Sequence, residues 1–155
     1  MTNKRPVFLG ALTWLSFLGE GFGLLLVVLS FRFSSRHSTD VVDMNMEFSS
    51  NSELPEQYQN IITSFIDFWI VQHDQFYSIH ISRIILLLIS LFGVYMMYNL
   101  KRNGFYIYTV AQVLLVAIPF LYVAENPIGQ IMASLQFFVV GLFVFMYATQ
   151  VKYLN

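Results

Sequence analysis

Four runs of about twenty predominantly apolar residues dominate this chain, approximately Val7–Phe31, Ile79–Leu100, Phe105–Ala124 and Ile128–Ala148. A bilayer core about 30 Å thick needs about 20 such residues in a helix. The runs therefore predict an all-α fold: an integral membrane bundle of four transmembrane helices within one domain of 155 residues. Composition points the same way, because 57% of the residues are hydrophobic and 11% are charged, whereas a soluble domain carries about 25% charged residues. So few charges cannot cover a water-facing surface. The first run is longer than a secretory h-region of about 7–15 residues and is expected to stay as an anchor.

The links between runs fit a hairpin bundle. Arg32 and Arg36 close the first run, Lys101-Arg102-Asn103-Gly104 separates the second from the third, and Glu125-Asn126-Pro127 separates the third from the fourth. Asn-Gly and Pro read as turn signals there. Placing the N-terminus inside puts Lys4, Arg5, Lys101, Arg102 and Lys152 in the cytoplasm. Arg32, Arg36 and the acidic residues Asp40, Asp43, Glu47, Glu53, Glu56, Asp67, Asp74 and Glu125 then lie outside. Basic residues accumulate on the cytoplasmic side of bacterial spans, so both termini are expected in the cytoplasm and the protein in the inner membrane.

One sizeable loop, residues 32–78, joins the first two spans. Its first half is rich in Ser, Asn and Asp and reads as irregular. From Glu56, Tyr58, Ile62, Phe65, Trp69, Gln72 and Phe76 recur at helical spacing, which predicts an amphipathic helix with Pro55 near its first turn. Its aromatic content suits the headgroup boundary. It is expected either along the membrane surface or as a lid on the bundle.

Within the first span, WLSFLGEGFGLLLVV sets Glu20 among glycines. A charge in hydrocarbon costs at least about 2.5–3.5 kcal/mol on insertion scales. Counting about 1.5 Å per residue places Glu20 and Arg83 at depths differing by roughly 6 Å, so a buried ion pair between them is expected; a protonated Glu20 bonded to a neighbour is the other bland solution. Thr13, Ser16, Glu20, Gly23 and Val27 fall on one helical stripe, and Gly19 with Gly23 forms GxxxG, which permits close helix packing. Gln112, Gln136 and Ser90 add polar groups to the same core, and Pro119 frees a carbonyl that Gln136 would be placed to satisfy.

Several function classes have no support. There are no cysteines, which removes disulfides and thiol chemistry. His73 and His80 are two turns apart, and with His37 they make no standard metal-ligand pattern. No P-loop, GxGxxG, HExxH or Ser-His-Asp arrangement is present, and no basic module favours nucleic acid. No metal or cofactor is expected. The lipid bilayer is the expected environment, with a membrane-protein partner or a second copy of the chain as the partners such a bundle would take. A non-enzymatic structural, accessory or interaction role leads. A small transporter or proton pathway through Glu20 is the alternative, and an intramembrane lipid-binding protein or enzyme the third.

The chain resembles a loose group of small four-pass inner-membrane proteins typical of Bacteroidota. The resemblance rests on Lys4-Arg5-Pro6 with Phe8-Leu9, Ser16-Phe17-x-Gly19-x-Gly21, Gly93-Val94-x-Met96-Met97, and Asn103 to Tyr108 leading to Ala111-Gln112. It implies an integral inner-membrane protein and carries no catalytic residue with it. In that pattern a small or hydroxylated residue stands where this chain has Glu20, so the carboxylate is expected to be this member's own feature.

Overall fold

A computed structural model of the protein describes residues 6–33, 55–123 and 126–154. Those residues form five α-helices and no strand: α1 Val7–Phe33, α2 Glu56–Asp74, α3 Phe76–Tyr98, α4 Asn103–Val123 and α5 Pro127–Ala148. A short 3-10 turn, Val151–Tyr153, follows. Four of the helices, α1, α3, α4 and α5, are long and apolar enough to cross a membrane, with mean hydropathy between 1.9 and 2.1. Their outer faces carry large apolar side chains such as Leu18, Phe22, Leu121 and Phe138, all more than half exposed. Lipid can solvate such a surface, and water cannot.

The packing runs in sequence, α1 on α3, α3 on α4, α4 on α5. Two apolar clusters hold it. At the end carrying both chain termini, Leu9, Leu12, Val94, Met97, Tyr108, Tyr147 and Leu154 meet. Toward the opposite end Val27, Leu86, Leu87 and Leu115 form a second cluster. Beyond that, Phe31 of α1 meets Phe76 edge-on at 5.2 Å, and the His80 ring stacks on Phe76 at 4.0 Å.

The α3–α4 hairpin departs from expectation in an informative way. Asn103 and Gly104 belong to the first turn of α4 and not to the connection. The reversal lies earlier, at Leu100, which has φ 59. Leu100 N–H donates to Met97 O and Lys101 N–H to Met96 O, both at 2.9 Å, which is a Schellman ending with leucine where glycine is usual. Gly104 is thereby freed for another task. A Cβ there would lie 2.6 Å from Gly93 O, and a Cβ on Gly93 would lie 2.7 Å from Tyr108 N. The two backbones touch at this point because neither residue has a side chain.

Helix α2 sits at the end away from the termini and contacts α3, α4 and α5. Its inward side is Ile66, which is buried, with Ile62 half-buried, while Tyr58, Ile61 and Phe65 are exposed. Of the face expected from spacing, only Ile62 turns inward among these; the side chains of Trp69, Gln72, His73 and Asp74 lie outside the described residues, as do His37 and the first half of the loop. Asn126 joins α2 to the bundle. Its Oδ1 accepts from Ile128 N and Gly129 N at the start of α5, ahead of Pro127 in the first turn, and its Nδ2 donates to Ser64 O at 2.7 Å. Asn126→Ala is expected to lower stability by about 1 kcal/mol as a lost N-cap and to speed hydrogen exchange across α2. Unchanged exchange would mean that α2 is held by Ile62 and Ile66 alone.

Candidate functional site

Between the two apolar clusters lies a polar layer. The stripe read from α1 is the one that faces inward: Thr13, Ser16, Glu20 and Val27 are buried and Gly23 packs on Leu87. Thr13 returns its hydroxyl to its own helix at Leu9 O. Ser16 accepts from the Tyr147 hydroxyl at 2.9 Å, which fastens α1 to α5. One turn further on, Glu20 Oε1 accepts from Ser90 of α3 at 2.8 Å and from the Gln112 amide of α4. Gln112 Nε2 also donates to Ser90 Oγ at 2.9 Å, closing a triangle across three helices. Glu20 Oε2 is buried without a hydrogen-bond partner.

Arg83 stands apart from this triangle. It precedes Ser90 on α3 by two turns, about 10 Å along the axis, and no ion pair joins it to Glu20. The separation read from the sequence set the two helices level by their outer ends, whereas in the structure Glu20 is level with Ser90. Gln136 likewise makes no bond to Glu20. It shares with Pro119, Phe68 and Arg83 a small cavity of about 70 Å³ that reaches under α2.

The larger feature is a cleft of about 380 Å³ between α1 and α5. Leu15, Gly19 and Gly23 form one wall, Gln136, Val139 and Phe143 the other, and Arg83, Leu87 and Gln112 line its back. Nothing lies within 4 Å of a Cβ built on Gly19. The GxxxG pair thus does not receive a helix of this bundle along its whole length: Gly23 packs on a Leu87 side chain, and Gly19 keeps the cleft open.

The sequence places Glu20, Ser90 and Gln112 in one core, and of the two arrangements expected for the carboxyl group the structure has it bonded to neighbours, Ser90 and Gln112, and not paired with Arg83. The pair Gly93 and Gly104 is not read from the sequence. A usable signal existed, since both glycines lie within two turns of the same short α3–α4 connection, where small residues allow two backbones to touch. Among the described residues no cluster of His, Asp or Glu has the grouping of a metal site, and His80 is engaged with Phe76 O through Nδ1 at 2.9 Å.

Comparison with protein-family models, curated proteins and solved structures gives no match. Fold and site by themselves define a four-span helical bundle compatible with an integral, multi-pass membrane protein. Its distinguishing marks are a carboxyl group bonded across three helices and one seam left open beside it.

Proposed function

We propose that this protein is a non-enzymatic binding or accessory protein of the bacterial inner membrane, with both termini in the cytoplasm, and that it works by receiving a hydrophobic guest in the seam between α1 and α5. The open seam carries this proposal. The α1–α3, α3–α4 and α4–α5 contacts are packed, whereas α1 and α5 are fastened near the termini and part beside Glu20. An apolar cleft with a few convergent polar groups is the usual form of a binding site. The basic residues Lys101, Arg102 and Lys152 at the termini end support the orientation.

Gly19→Phe tests it. The ring has open space to occupy and leaves the Glu20 triangle untouched, so the variant is expected to melt with the wild type yet lose whatever lipid or protein the wild type retains on mild extraction from native membranes. If both forms retain the same material, the seam is not the working part.

Proton movement is the second role with a specific observation behind it, the bare Oε2 of a buried carboxyl group at mid-length of α1. Glu20→Gln keeps an acceptor for Ser90 and Gln112 but cannot carry an exchangeable carboxyl proton. Proton flux in liposomes should vanish in that variant. Equal flux in both proteins would exclude the relay.

A further inference from the structure

Resting on the open seam as a binding site, we infer that the guest is a single-chain anionic amphiphile, a free fatty acid, whose carboxylate is held by Arg83 with the Gln136 amide while its chain lies in the α1–α5 cleft. The starting observation is Arg83 itself. It is largely buried and has neither a hydrogen bond nor an ion pair among the described residues. Intramembrane arginines almost always pair, because an uncompensated one is costly. Neither acidic side chain described in the spans and α2 serves it: Glu20 is engaged by Ser90 and Gln112 about two turns deeper, and Asp67 on α2 is exposed. Phe68 of α2 shares the small cavity with Arg83. Among the described residues Arg83 has no counter-anion.

The chemistry of that anion follows from the surroundings. A guanidinium presents a planar fork matched to a carboxylate, and the half-buried Gln136 amide, which makes no hydrogen bond among the described residues, lines the same two cavities. From this polar end the cleft continues between the apolar side chains of Leu15, Leu26, Val139 and Phe143, with Ser16, Glu20 and Gln112 also lining it and Gly19 leaving it open. Charge selects the occupant. A cation facing the seam takes an amphiphile with one anionic end, and a free fatty acid brings a planar carboxylate to the guanidinium fork on a single alkyl chain.

Native mass spectrometry of the delipidated protein in neutral detergent tests this with three probes: palmitic acid, methyl palmitate and phosphatidylglycerol. The wild type should retain one palmitate per chain and neither of the others. Arg83→Gln should weaken retention at least tenfold, Gln136→Leu several-fold, and Arg83→Lys less than Arg83→Gln. Equal retention by wild type and Arg83→Gln, methyl palmitate binding as well as the acid, or phosphatidylglycerol displacing palmitate would each overturn the inference. Should Arg83→Gln fail to fold, Gln136→Leu and the ester comparison on the wild type decide. If palmitate is not retained while Gly19→Phe still strips a native guest, the fatty-acid assignment falls and the binding seam stands; if Gly19→Phe strips nothing, both fall.

Discussion

A Gly93→Ala protein is expected to lose the α3–α4 hairpin and to be recovered, if at all, as aggregated or rapidly degraded chain. The added methyl would lie 2.7 Å from Tyr108 N, 2.9 Å from Gly104 O and 3.0 Å from Tyr108 Cα. All three are backbone atoms, so no rotamer change can relieve the contact and the helices must separate. Overpacking a core commonly costs about 1–3 kcal/mol where side chains can yield; here the cost should lie at or above the top of that range. Gly104→Ala should behave alike, because its methyl would meet Gly93 O and Met97 N. Gly19→Ala and Gly141→Ala, with open space around the new atom, should be neutral or gain up to about 1 kcal/mol from helix propensity. Thermal unfolding in detergent ranks the four, and a Gly93→Ala melt matching Gly19→Ala would show that the two helices are not in contact as described.

The second large effect belongs to Glu20. Glu20→Leu removes the acceptor shared by Ser90 and Gln112 and leaves the amide with an unsatisfied donor, which costs on the order of 1–3 kcal/mol. Measured interhelical bonds in membranes fall toward the lower end, about 0.6–2 kcal/mol, so a loss near 2 kcal/mol is the expected result. Glu20→Gln should lose much less, since its carbonyl can accept both bonds. A double-mutant cycle locates the partner: Glu20→Ala with Gln112→Ala should couple by at least about 0.5 kcal/mol, whereas Glu20→Ala with Arg83→Ala should add to within about 0.3–0.5 kcal/mol. Strong coupling to Arg83 would restore the ion pair that the sequence alone suggests.

The four spans were legible because membrane thickness imposes a length that composition reveals directly, and the helix ends fall within three residues of the apolar limits. The inward stripe of α1 was legible for a related reason. Where lipid offers no hydrophobic drive between helices, small and polar residues mark the contact, and Thr13, Ser16 and Glu20 mark it here. What the sequence could not supply was relative depth between helices. The stagger of α1 against α3 sets Glu20 level with Ser90 instead of Arg83, and depth decides which polar group meets Glu20. The role of Asn103-Gly104 was also hidden, because a turn dipeptide and a close-contact glycine look the same until the reversal is seen at Leu100. The inward face of α2 depended on what the bundle offers it, chiefly Asn126, and no periodicity within α2 encodes that.

Helix α5 is secured at two places of unequal strength against its neighbours other than α4. Near the termini it is pinned by the buried Tyr147 and its bond to Ser16; at the far tip it is tethered to α2 by the Asn126 side chain. With 22 residues between Pro127 and Ala148, the lever arm is roughly 33 Å. A displacement of α2 would therefore reach α5 at its tip and be felt in smaller measure halfway down, at the seam that Gly19 and Val139 line.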